Sequence, residues 1–157
     1  MTLHSALCRT STINLKTWFL YGDTGVGKTF LSHCIARELL RSTHCVLYFS
    51  AYDLFDMMAA NSFSRKDTGT DEELIYDCDL LIIDDLGTEL TNSFVSSQLF
   101  LCLNERIMRR KSTIISTNLT LKNFSDTYSE RTFSRIASNY QMISLIGKDI
   151  RIQKTIF

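Results

Sequence analysis

Hydrophobic positions along the chain fall into short blocks whose spacing changes from one block to the next. Residues 16–21 (KTWFLY) and 45–49 (CVLYF) are apolar runs of strand length, rich in the aromatic residues that pleated surfaces favour. Residues 80–83 set four branched aliphatics in a row, which predicts a strand covered on both faces. Residues 113–116 and 141–145 predict two more strands. Between these blocks the period lengthens. Residues 29–40 carry Phe30/Cys34 and Leu31/Ile35/Leu39 at four-residue spacing, predicting a helix with one apolar side. Further helices are expected over 52–60, 92–110 and 130–138, and the polar, aperiodic stretch 61–70 reads as a loop. Strands alternating with helices imply a parallel sheet between two helical layers, a three-layer α/β fold.

Composition narrows the class. The 157 residues suit one domain, and 45% apolar with 22% charged residues is a globular balance. No apolar run exceeds five residues, far short of a helical membrane span, and residues after Met1 lack an export leader pattern. Cys8, Cys34, Cys45, Cys78 and Cys102 follow neither a disulfide nor a zinc spacing, which suits a reducing compartment and an expected cytoplasmic location. Cys34 and Cys102 fall in apolar stripes and are expected in the core. The formal net charge of zero argues against coating nucleic acid by bulk charge. The distribution is uneven, however. Residues 1–100 hold seven Lys/Arg against thirteen Asp/Glu, and residues 101–157 hold ten against four.

Three segments carry chemistry. Gly22-Asp23-Thr24-Gly25-Val26-Gly27-Lys28-Thr29 matches G-x-x-x-x-G-K-[ST], set between a predicted strand and a predicted helix. Glycines let such a loop fold into a nest of N–H groups, Lys28 reaches β- and γ-phosphates, and the Thr29 hydroxyl joins a Mg²⁺ shell. The helix N-terminus adds its positive end. Leu80-Leu-Ile-Ile-Asp84-Asp85 is an apolar strand ending in two acids. Asp84 is the metal-side candidate. Asp85 is the candidate for activating an attacking water, and strand alternation is expected to send the two to opposite faces. Adjacent acids without an arginine-rich lid argue against a small-molecule kinase. Asn118 follows the strand at 113–116 and can bridge a γ-phosphate and water. Arg131 and Arg135 share one helix face, from which an arginine can enter a neighbouring subunit's site. Arg151 can sense nucleotide in cis.

The segments GDTGVGKT (22–29), LLIIDDLG (80–87), STNL (116–119) and ERTFSRI (130–136) together resemble the AAA+ ATPases of the DnaC/DnaI helicase-loader group, with the transposition helper IstB as a relative. The resemblance runs from about residue 16 onward, with residues 1–15 as an N-terminal extension and 16–157 as the ATPase core. It implies the AAA+ strand order with a reduced or absent lid, ATP and Mg²⁺ as ligands, and ATP hydrolysis. It further implies Asn118 as sensor 1, Arg135 as an arginine finger acting in a homo-oligomer, and Arg151 as a reduced sensor 2. The implied partners are single-stranded DNA and a replicative helicase, the latter engaged through a segment missing here. The alternative is an IstB-like helper that oligomerises on DNA and recruits a transposase. Similar proteins hold single-stranded DNA on an insertion before the acidic strand, where this chain offers Phe63, Arg65 and Lys66. Tyr52 and Phe55 nearby are expected in the core, and the cluster Arg106, Arg109, Arg110 and Lys111 suits an oligomer or DNA face.

Overall fold

The computed structural model describes residues 16–63 and 69–153. Five strands, β1 (Trp18–Gly22), β2 (Val46–Ser50), β3 (Leu80–Leu86), β4 (Ser112–Thr117) and β5 (Gln141–Leu145), form one parallel sheet in the order β2-β3-β4-β1-β5. The register sets Ile83 beside Ile115, Leu20 beside Ser116 and Ser50 beside Asp84. After β1 the chain crosses to the far edge at β2, and after β4 it crosses to β5 on the other side of β1. Such a reversal opens a crevice at the carboxyl ends of the strands.

The helices are α1 (Lys28–Arg41), α2 (Ala51–Phe63), α3 (Gly69–Asp77), α4 (Ser93–Met108), α5 (Leu121–Tyr128), α6 (Glu130–Asn139) and the short α7 (Ile150–Gln153). Strand alternation divides the sheet's side chains between two unequal layers. Leu20, Leu80, Ile82 and Ile114 pack with Ala36 of α1. Phe19, Leu81, Ile83 and Ile115 join a much larger core with residues of α2 to α6, including Leu54, Leu99, Phe124 and Ile136. Phe124 meets Phe19 edge-on at 5.1 Å and Tyr128 at 4.9 Å.

Helices α1 and α2 and strands β3 and β4 run longer than expected, and α3, α5 and α7 have no counterpart among the expected elements. Of the stretch expected as a loop over 61–70, residues 61–63 end α2 and residues 69–70 begin α3, the rest lying outside the described residues. The segment after β4 folds as α5, with the Thr120 side chain accepting from the Asn123 N–H at its start. The buried side of α1 is also rotated from the expected one. Lys28, Ser32 and Ala36 face inward, Leu31, Ile35 and Leu39 are half-buried, and Phe30 is 74% exposed. Small inward residues let α1 lie close to the sheet, and this turns Phe30 and Cys34 out to solvent. Tyr52 is likewise exposed, against expectation, while Phe55 is buried. Cys102 is in the core as expected, and burial pushes its thiol up to about 12.

Three of the four residues of the basic cluster are tied into the structure, while Arg110 is exposed. Arg106 is fully buried, its Nε donating to Thr113 Oγ1 at 2.9 Å and its other nitrogens to the carbonyls of Ile75, Cys78 and Ser112. It ties the end of α3 to the starts of β3 and β4. Arg109 pairs with Glu73, Asp77 and Glu105 at 2.6–2.8 Å, and Lys111 lies 3.7 Å from Asp79. Among the described residues, no helix is long and apolar enough to cross a membrane.

Candidate nucleotide site

β1 ends at Gly22, and the chain turns through residues 23–27 into α1. The turn runs through positive φ at Gly22 (137°), Gly25 (77°) and Gly27 (98°), a backbone that side chains resist. At Gly22 a Cβ would lie 2.0 Å from the Leu145 carbonyl oxygen of β5, so the glycine is needed for contact as well as for the turn. Lys28 is 5% exposed, and its Nζ donates to the carbonyls of Gly22 at 2.8 Å and Asp23 at 2.6 Å. Burial pulls its pKa below the usual lysine range, while Asp85, Asp23 and Asp84 oppose that shift. An anion delivered here would favour the charged ammonium.

The acids reach this loop by strand register. Tyr48 of β2, Asp84 of β3 and Ser116 of β4 continue the α1-facing series of Val46, Ile82 and Ile114. Asp84 is 5% exposed and accepts two hydroxyl hydrogen bonds, from Tyr48 to Oδ2 at 2.5 Å and from Ser116 to Oδ1. Each oxygen keeps a lone pair for another donor or a cation. Burial, then the Asp84 carboxylate, drives the Tyr48 phenol well above its usual range.

Asp85 does not simply alternate to the opposite face. Its φ is +54° and the β3–β4 register shifts between Ile83 and Leu86. The kink breaks the strand period, so Asp85 stays within electrostatic reach of Lys28, Asp84 and Arg151. Burial, with the Asp84 charge, raises its pKa, and Lys28 and Arg151 partly offset the rise. The Asp85 N–H donates to Ser116 Oγ at 3.0 Å, so Ser116 links the two acids.

Arg151 arrives from beyond β5. The Ile150 N–H donates to the Gly25 carbonyl at 3.0 Å, docking this segment on the glycine loop. The Asp149 carboxylate packs where a Gly25 side chain would stand and holds the Arg151 guanidinium through Nε at 3.0 Å and Nη2 at 2.9 Å. Asn118 follows β4 directly and is exposed at the same carboxyl edge.

Arg135 is not part of this gathering. It is exposed on α6, in an open groove of about 530 Å³ lined by Phe100, Arg131, Ser134, Ser138 and Asn139 among others. The Arg131 guanidinium lies 5.1 Å from the Phe100 ring centroid, and neither arginine is ion-paired to Glu130 or Asp126. Arg65, Lys66 and the Phe63 side chain fall outside the described residues. Tyr48, Ser116 and Asp149 were not singled out from the sequence. The β2–β3 register, which pairs Tyr48 with Ile82 and lets its hydroxyl reach Asp84 two residues further along β3, leaves no mark in local spacing.

A glycine nest with a buried lysine, facing two carboxylates at the edge of a parallel sheet, is the donor set of a nucleoside polyphosphate and its cation. The family profile for IstB-like ATP binding protein matches residues 7–154. The chain belongs to that family. IstB-like proteins are ATP-binding AAA+ proteins related to the DnaC/DnaI helicase loaders and to DnaA, and the sheet order agrees with that expectation.

Among curated relatives, y4pL of Sinorhizobium fredii, named as an insertion sequence ATP-binding protein, is 30% identical over 135 residues, which is 83% of this chain and 54% of y4pL. The replicative helicase loader DnaC of Buchnera aphidicola is 26% identical over 126 residues, 78% of this chain and 51% of that protein. The chromosomal replication initiator protein DnaA of Zymomonas mobilis is 33% identical over 129 residues, 80% of this chain and 25% of DnaA. The IstB-like chain thus spans between a quarter and about half the length of these relatives. Its fold matches the crystal structure of the DnaC helicase loader with a TM-score of 0.76 at 23% identity, over 83% of this chain and 78% of that one. It matches DnaA bound to AMPPCP and single-stranded DNA with a TM-score of 0.73 at 21% identity, over 92% and 46%.

Proposed function

We propose that this IstB-like chain hydrolyses ATP with Mg²⁺ and uses the nucleotide to switch an assembly on single-stranded DNA. The convergence of Lys28, Asp84, Asp85 and Arg151 at one sheet edge carries this reading. The backbone of Gly22, Asp23, Thr24, Gly25, Val26 and Gly27 cradles the phosphates, and Lys28 leaves its two carbonyl partners for the β- and γ-oxygens. Thr29 and Asp84 would hold Mg²⁺, which would supply positive charge to offset that of the phosphates. Asp85 takes a proton from the attacking water. The burial that raises its pKa moves it in the direction a general base requires. Asn118 orients that water, and Arg151 balances charge in cis. Arg135 lies apart from its own chain's site and unpaired among the described residues, which supports its serving a second copy. Residues 16–157 form the ATPase core, with 1–15 as an extension. Phe63, Arg65 and Lys66 are the proposed DNA contacts.

Two partner roles follow from the relatives. DnaC is named a replicative helicase loader, which would give this chain a helicase to act on. The family and y4pL, named for an insertion sequence, favour a second role, recruiting a transposase to DNA. Purified helicase and transposase, offered in parallel with ATP on a sensor surface, separate the two by which is retained.

Shared catalysis is tested by mixing Arg135→Ala with Asp85→Asn. Each variant should bind ATP and hydrolyse it poorly. The mixture should regain turnover that rises with protein concentration, since one partner supplies the acid and the other the arginine. A mixture no faster than the sum of its parts, where ATP promotes assembly, rules out Arg135 as a finger in trans.

A further inference from the structure

Asp84 sits between two hydroxyl donors from the strands on either side of β3. Ser116 on β4 donates to one carboxylate oxygen and itself accepts the Asp85 N–H, so it is fixed by the acidic strand end. Tyr48 on β2 donates to the other oxygen at 2.5 Å. The Tyr48 ring is held in turn against His33 of α1, with centroids 4.6 Å apart and planes tilted by 32°. A carboxylate's terminal torsion is broad and roughly two-fold, so its plane is set by its partners. With one donor per oxygen, from opposite sides, the Asp84 plane has a single orientation.

That orientation matters because Lys28 is close enough for the Asp84 charge to bear on it. A carboxylate freed on one side gains by turning toward the ammonium. It would then neutralise the cation meant for phosphate and withdraw from the metal. We infer that Tyr48 is a positioning residue, which through its hydrogen bond to Asp84 holds that carboxylate in place for a divalent cation and off Lys28. The inference rests on Asp84 being the metal-side acid, as proposed above. Partners of metal-holding carboxylates act in this way generally, and losing one costs about 10- to 100-fold in metal affinity.

The test is equilibrium binding of a fluorescent ATP analogue, titrated with Mg²⁺ and repeated in EDTA, on wild type, Tyr48→Phe, Asp84→Asn and the double variant. Tyr48→Phe keeps the ring and its contact with His33 and removes only the hydroxyl. It should leave the affinity in EDTA unchanged and raise the Mg²⁺ midpoint about 10-fold. Asp84→Asn should raise the midpoint at least as far, and adding Tyr48→Phe to it should raise it no further, since the phenol acts through the carboxylate. A purely structural Tyr48 would lower the melting temperature without moving the midpoint. If Asp84→Asn moves the midpoint and Tyr48→Phe does not, the positioning role is overturned while the site stands. If Asp84→Asn itself leaves the midpoint in place, the metal assignment fails, and the positioning role with it.

Discussion

The two faces of the sheet are built to different ends. On one, the helix that meets the small cluster around Leu20, Ile82 and Ile114 is, among the described residues, α1. On the other, residues from α2 to α6 enclose a core centred on Phe19, Leu81, Ile115 and Phe124. Period-two alternation means that neighbours in sequence serve opposite faces. Ile83 belongs to the large core, and Asp84 points toward the α1 side. The thin face therefore carries Lys28, Tyr48, Asp84 and Ser116, while the thick face carries most of the buried apolar surface. Stability and chemistry are separated by alternation along the same strands.

A first way to break this comparison is to damage the thick face alone. Phe124→Ala removes a fully buried ring that touches Phe19 and Tyr128 and should cost about 3–5 kcal/mol in urea unfolding. Measured where the variant is still folded, ATP affinity should be unchanged. A large loss of affinity there would mean that the faces are not separable.

Crowding the thin face should behave differently. Ala36 lies inward on α1, two turns beyond Lys28. Ala36→Leu should cost about 1–3 kcal/mol by overpacking and should also weaken ATP binding, because α1 and the glycine loop move together. Thermal melts and calorimetry on one sample would show both effects. Loss of stability with full affinity would contradict the link.

The smallest effect concerns Asp85. Its folded-state pKa is raised, so the unfolded chain ionises it more readily than the folded one does. The ionised group therefore costs stability, absent in acid below the unfolded pKa and fully present above the folded pKa. Asp85→Asn should raise the melting temperature slightly at neutral pH, and the gain should vanish in acid. A gain independent of pH would point to packing instead.

How much of this was legible in the sequence depended on range. The glycine loop, the acidic strand end and all five strands follow from local spacing. α5 carries a local signal, with Thr120 as a cap and Phe124 and Tyr128 both buried at four-residue spacing. Its polar remainder masks the pattern. Arg106 reads as surface charge because nothing nearby marks it, and its partners lie on α3, on the turn before β3 and on β4. Cys34 and Phe30 fit an apolar stripe, yet Ser32 and Ala36 are what face the sheet, since close approach of α1 favours small side chains. Asp85 departs from the alternation rule because its positive φ belongs to the irregularity of β3 between Ile83 and Leu86, which side-chain spacing does not reveal.

The thin face is proposed to bind ATP through Lys28. Calorimetric titration of Lys28→Ala with ATP and Mg²⁺ tests it most directly. Loss of charge-assisted hydrogen bonds to phosphate should lower affinity on the order of 100-fold, with the melting temperature of the free protein nearly unchanged. Wild-type affinity in a folded Lys28→Ala variant would contradict the account.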